Sequence, residues 1–266
     1  MRLTEAHIAA ARLRLAVDAR LGTPTPDAVR RIAAMTPDGP DADVVRLPSR
    51  GEVAYQPRVA VGSGRVVGVE LLPAGPTAPE ELIAVAARQV RRWLDRGVRL
   101  PVRVSVPLSL DEGFAGRVAA VLRQHDVPPG LLLLGFDESQ LVDGGEAVES
   151  ALARLSAVGV ALAVDGFGTC YSPISALRPF RFGEVRIDTS FAAAEDASSL
   201  AVLRAMVDLG RGLEVAVATA EVDSVELLDR LTELGIGIVQ GDAVAPAMSD
   251  TELDEWLTDR ADVATS

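Results

Sequence analysis

Along most of this chain, short apolar runs alternate with stretches whose apolar residues recur every three to four positions. The first pattern marks buried strands, the second amphipathic helices. From Glu52 onward the strand candidates are Val53–Val61, Val66–Leu72, Val102–Pro107, Leu131–Phe136, Val160–Val164, Glu184–Ile187, Glu214–Ala218 and Ile236–Val239. Helical spacing falls between them near 78–96, 111–125, 144–158, 195–212, 222–234 and 249–259. This alternation predicts an α/β fold, a TIM-like (β/α)8 barrel. The first two strands are joined only by VGSGR (61–65), a hairpin-sized loop, so that pair is expected to be antiparallel. An open doubly wound sheet is the alternative.

Ahead of the barrel, residues 3–21 carry a helix start at Thr4, apolar residues Ile8, Leu13, Val17 and Leu21, and Gly22 after the end. Pro24 and Pro26 interrupt the pattern, and 27–35 reads as a second short helix. TPDGPDAD (36–43) has the composition of a linker. The expected organisation is a helical extension and linker (1–45), a barrel (46–262) and a short tail (263–266).

Charge and composition narrow the function. A net charge of −12 argues against a nucleic-acid polymer held by general electrostatics. No apolar run reaches the ~18 residues of a membrane span. The first twenty residues are broken by charges, so neither a membrane segment nor a leader core is expected. One cysteine, Cys170, excludes an internal disulfide and suits a cytoplasmic setting. His7 and His125 stand alone without metal-ligand spacing, and Trp93 and Trp256 sit at helical spacing as core residues. All 26 basic residues are arginine, a bias that bears on one position below.

In an α/β protein, chemistry gathers at the carboxyl ends of the strands. Here those ends carry Glu70, Pro107, the Gly135–Glu138 stretch, Asp165, Arg186–Asp188, Thr219–Glu221 and Gln240. ALAVDGFGTCYS (161–172) is central: an apolar strand reaches Asp165 and then breaks at Gly166 and Gly168. YQPRV (55–59), VVGVELL (66–72), VDGFGTCYS (164–172), VRIDTSF (185–191), VAVATAEV (215–222) and VQG (239–241) resemble, in order, the EAL domain of cyclic di-GMP phosphodiesterases. The resemblance runs from about residue 52 to 259. It implies a barrel with an antiparallel first strand and a two-metal site that hydrolyses one phosphodiester of cyclic di-GMP. Such metals stand about 3.5–4 Å apart and need several oxygen ligands.

Carried over residue by residue, the resemblance retains Glu70, the glutamate of the EAL motif, and Glu138, the second glutamate of an E-x-x-E element. Asp165 is the first of a bridging aspartate pair whose second member is Gly166. The family's asparagine falls at Pro107, and two further glutamates fall at Gly135 and Thr219. The strand lysine becomes Arg186, whose guanidinium stays protonated and cannot stand in for a compact ammonium. Asp137 and Glu221 lie two residues beyond emptied positions, yet each would need about 6–7 Å of backbone displacement to serve as a ligand. Glu70, Glu138, Asp165 and Arg186 are therefore vestigial, with no catalytic residue and no metal expected. Mg²⁺ or Mn²⁺ would matter only for residual phosphodiesterase activity. An unpaired buried acid is costly, so Arg186 is expected to bridge Asp165 and Glu70.

For the nucleotide, the resemblance implies contacts at Gln56, Leu72 and Gln240. Both phosphate-binding arginines are missing: Ala74 stands at one, and DAVAP (242–246) shortens the motif that carries the other. Arg58 and Arg65 of the first hairpin read as a solvated edge. The expected function is a catalytically inactive, regulatory EAL-like domain with a protein partner or self-association through loop 165–172 and the N-terminal helices. Glu138 would anchor that loop beside Thr169, Tyr171 and Ser172. The alternatives are a metal-independent cyclic di-GMP receptor and a phosphodiesterase with residual activity.

Overall fold

Gly62 and Gly64 adopt left-handed φ values of 83° and 66°, which only glycine takes without strain. They let the chain reverse within one tight turn, where Ala60 N–H donates to Arg65 O at 2.9 Å. The strands on either side must then run antiparallel. In the computed structural model, which describes residues 30, 53–109, 111–142, 145–168, 182–188, 191 and 196–259, these two open an eight-stranded closed barrel whose strands neighbour one another in sequence order. The strands are β1 (Val53–Ala60), β2 (Val66–Pro73), β3 (Val102–Ser105), β4 (Leu132–Asp137), β5 (Ala161–Phe167), β6 (Glu184–Ile187), β7 (Ala216–Thr219) and β8 (Ile238–Val239). β1 pairs antiparallel with both β2 and β8, and every other pairing is parallel.

Closure rules out the open sheet, and the reversed first strand is as the five-residue loop predicts. The helices are α1 (Pro79–Leu94), α2 (Phe114–Gln124), α3 (Glu138–Val142), α4 (Gly145–Val158), α5 (Ala197–Gly212), α6 (Val225–Leu234) and α7 (Asp250–Thr258). Only the five-residue α3 lacks a counterpart in the periodicity, being too short to show one. β5 continues past Asp165 because Gly166, at φ 65°, bulges and lets Phe167 rejoin the ladder opposite Ile187.

Each strand has two buried faces. Val69, Leu71, Val102, Val104, Leu132 and Leu134 join Ile83, Ala86, Val90, Val118 and Leu122 of α1 and α2 in one apolar cluster. Trp93 and Trp256 belong to it, as expected, and Trp93 Nε1 donates to Asp254 Oδ1 at 2.9 Å. The opposite parity on β1, β2, β3 and β6 carries Arg58, Glu70, Arg103 and Glu184, all buried. Small residues make the room: the register sets Gly68 against Arg58, Gly135 against Ser105, and Ala163 and Ala216 against Glu184. Apart from residue 30, the N-terminal extension with His7 and the linker 36–43, like the loop 169–172 with Cys170 and the tail, lies outside the described residues. Among the described residues no helix is long and apolar enough to cross a membrane.

Candidate functional site

The period of two in β3 (VRVS) turns Val102 and Val104 outward, and so turns Arg103 and Ser105 inward. Arg103 has no exposed side-chain surface. Its Nη1 meets Glu70 Oε1 at 2.5 Å, its Nη2 pairs with Asp165 Oδ1, and its Nε lies 3.4 Å from Glu184 Oε1. Arg186 reaches the same two acids from β6, with Nη1 2.7 Å from Glu70 Oε2 and Nε 3.0 Å from Asp165 Oδ1. Arg58 closes the chain from β1, its Nη2 2.5 Å from Glu184 Oε2. Ser105 Oγ, at the solvent side, lies 3.1 Å from Glu70 Oε1 and 2.9 Å from Asp165 Oδ2. Three guanidinium groups thus face three carboxylates, and the network is neutral overall.

Arg186 sits where the sequence reading places it, bridging both surviving acids. Arg103 and Glu184 were missed, and Arg58 is a correction: it is 5% exposed and inside the barrel, whereas Arg65 is the exposed one. The available signal was parity. Arg58, Arg103, Glu184 and Arg186 all fall on the strand face opposite the apolar residues. In a barrel whose outer strand face is covered by helices, that face is the interior and not solvent.

Gly135 shows why Arg103 can enter. A Cβ built there would lie against Arg103 Nη2, 2.9 Å from Arg103 Cζ and 2.8 Å from Asp165 Oδ2. The space that a glutamate would need at this position is filled by a guanidinium. Thr219, at another emptied position, is buried and its hydroxyl donates to Ile187 O at 3.4 Å. Pro107 is exposed. Neither displaced acid compensates: Asp137 is exposed and caps α3, accepting from Ser139 N–H at 2.9 Å, and Glu221 is exposed.

Around this network the barrel mouth is closed by side-chain contacts. Gln56 donates to Ala245 O at 3.1 Å and to Asp242 Oδ1 at 3.3 Å, and accepts from Gln240 Nε2 at 2.9 Å. Leu72 is half-buried beside them. Glu138, 3% exposed, accepts from Gly168 N–H at 3.0 Å, and so ties the end of β5 to the start of α3. His125 is half-buried at the carboxyl end of α2.

Burial pushes the Glu70 carboxyl up, but the charges of Arg103 and Arg186 and a hydrogen bond from Gln240 outweigh it and bring it down to about 2. Burial likewise works against the Arg103 cation, and Glu70, Asp165 and Glu184 together raise it. The Glu70 shift sets a sign. Its stabilisation is complete above the carboxyl's ordinary value of 4.5 and is lost as pH falls towards about 2. Urea unfolding followed from pH 5 to 2 is therefore expected to lose stability steadily, and Glu70→Gln should flatten that slope. An unchanged slope in the variant would contradict the assignment.

An eight-stranded barrel with a reversed first strand, and with acids gathered at the carboxyl ends of β2 and β5, is the arrangement that the resemblance to EAL domains implies. Residues 77–247 match the EAL domain family, more than half of the chain, and the protein belongs to that family. It is 30% identical over 215 residues to the bifunctional diguanylate cyclase/cyclic di-GMP phosphodiesterase MucR of Pseudomonas aeruginosa, covering 70% of this chain and 31% of that protein. With the cyclic di-GMP phosphodiesterase RocR of the same organism it shares 28% over 238 residues, covering 79% of this chain and 61% of RocR. The chain thus spans less than two-thirds of these relatives. Among solved structures, the MucR phosphodiesterase in complex with c-di-GMP superposes with a TM-score of 0.69 at 29% identity, covering 76% of this chain and 93% of that one. The EAL domain of Mycobacterium smegmatis DcpA gives 0.71 at 25%, covering 81% and 100%.

The paired divalent cations implied by the family do not fit this donor set. Two guanidinium groups stand between Glu70 and Asp165, and Gly135 offers no oxygen from its side chain. Among the described residues no group of three His, Cys, Asp or Glu side chains is arranged to hold a metal ion.

Proposed function

We propose that this chain is a catalytically inactive EAL-like domain that works as a regulatory, protein-interaction module in cyclic di-GMP signalling. One observation carries the reading: Arg103 and Arg186 occupy the ground between Glu70 and Asp165. A metal pair positions and activates water by its charge and open coordination sites. A guanidinium supplies the charge but neither a coordination site nor an acidic bound water. The acids are neutralised and the barrel stays closed, with nothing left to generate a hydroxide. The proposed division of labour keeps residues 1–45 as a separate extension, with the barrel over 46–262 and the tail after it. Contacts would run through that extension and the loop 165–172, which Glu138 holds at Gly168.

A second reading, a metal-independent cyclic di-GMP receptor, is favoured by Gln56 and Gln240, which stand together at the mouth beside Leu72. Against it, Gln56 already uses its carbonyl and its amide on protein partners, so a guanine would have to displace Gln240, Asp242 or Ala245. Incubation of the full chain with cyclic di-GMP and Mg²⁺ or Mn²⁺ is expected to yield no linear dinucleotide. Turnover that Glu70→Ala abolishes would overturn the proposal in favour of an enzyme. Calorimetry in EDTA addresses the receptor reading separately, with saturable binding at micromolar ligand deciding for it.

A further inference from the structure

The carboxyl-terminal turns of α1, α2 and α4, with the loops that lead into β3 and β4, enclose a surface at the amino-terminal ends of those two strands. Two adjoining hollows of about 470 Å³ and 450 Å³ lie there, sharing Leu122, Arg123 and Val127. Their floor is apolar, made by Ala119, Leu122, Val127, Ala157 and Val158. Their rim carries Arg91, Arg99, Arg123 and Arg154, with Asp126 the acid in the lining and Asp95 paired to Arg91 beside it.

We infer that this groove docks an acidic segment of a partner protein, one that carries apolar side chains among its carboxylates. It rests on the interaction-module reading above, and the hydrolysis assay and the experiment below can fail independently. Charge carries the argument. The chain as a whole is at −12, yet this patch has four cations for two adjacent anions, Asp95 and Asp126. Arg91 is satisfied by Asp95 and Asp126. Arg99 and Arg123 are exposed and have no carboxylate partner among the described residues, and Arg154 donates to the Ser150 hydroxyl at 2.6 Å with Asp111 within electrostatic reach. Most of the other described arginines are ion-paired, for example Arg92 with Asp250, Arg96 with Asp254 and Arg117 with Glu80.

A cation in the last turn of a helix complements the helix dipole. That accounts for Arg91 and Arg123, but not for Arg99 in a loop, nor for Arg154 more than three residues before the end of α4. The apolar floor sets the partner's other half. A bare polyanion would gain nothing from the accessible Ala157 and Val158 of the lining and would meet the repulsion of the whole chain. A peptide with carboxylates spaced between leucines satisfies both rim and floor, the arrangement of an amphipathic segment in a groove.

The probe is a fluorescein-labelled peptide of Glu and Leu at helical spacing, titrated against the full chain by anisotropy. Saturable binding is expected, weakened about tenfold or more by Arg123→Glu through loss and reversal of a rim charge. Arg99→Glu, in a loop, repeats the test without touching a helix end. Arg204→Glu makes the same charge change on exposed α5 and should leave binding within about twofold, since screening confines surface charge to its own neighbourhood. A peptide with Ser for Leu should not bind measurably. Equal weakening by Arg204→Glu, undiminished binding of the Ser peptide, or no saturable binding at all would overturn the inference.

Discussion

Arg103→Met is expected to lower the unfolding free energy by about 3–5 kcal/mol at neutral pH, the usual cost of removing one partner from a buried ion network. Methionine keeps much of the length and fills much of the space, so the loss is electrostatic before it is steric. Glu70, Asp165 and Glu184 would then face only Arg58 and Arg186, leaving one buried negative charge unmatched. That imbalance has a pH signature. Carboxylates without their counter-ion take up protons more readily, so the deficit relative to the parent should shrink as pH falls from 7 to about 4.5. Urea unfolding at both values measures it. A deficit below about 1 kcal/mol, the scale of an exposed pair, would mean that water already screens the network. The cost is not the worth of the network, because apolar residues replacing all six charges together could leave stability unchanged.

Gly135→Ala is the second large effect. Arg103 cannot swing away from the new Cβ, because its guanidinium is held by carboxylates on three other strands. The added methyl is expected to cost about 1–3 kcal/mol, the range for overpacking a close-packed interior. In an Arg103→Ala background the guanidinium is gone and Asp165, 2.8 Å from the new Cβ, is released to shift, so the same substitution should cost less, with a coupling of about 0.5–3 kcal/mol. Thermal or urea unfolding of the four proteins completes the cycle. Additive effects would show that the glycine is there for another reason than to admit the arginine. If the coupling holds, Gly135 and Arg103 are one structural change written at two positions, which a substitution at either alone could not reverse.

Much of the architecture was legible in the chain. Among the described residues, alternating periods marked the eight strands and six of the seven α-helices, and the five-residue loop at 61–65 fixed the direction of β1, because so short a connection permits no crossover. Ends moved by a few residues where bulges or turns decide them, as at Gly166. At the site, the pairing of Arg186 with Glu70 and Asp165 could be inferred because a buried acid needs a counter-charge. The inward placing of Arg58, Arg103 and Glu184 is not legible in any one segment, because a charged residue in a strand ordinarily faces water.

The sequence by itself determined the order and type of the elements and the reversed first strand. Those are local properties, readable from periodicity, loop length and residue identity. Only the tertiary structure decided where the charges go. Barrel closure turns one face of every strand towards a common axis, and it brings Arg58, Arg103 and Arg186 together with Glu70, Asp165 and Glu184 from β1, β2, β3, β5 and β6. Strand register then sets Gly135 opposite Ser105, and the space it leaves is taken by a guanidinium from the neighbouring strand. No single segment encodes that arrangement, since it follows from closing the sheet on itself.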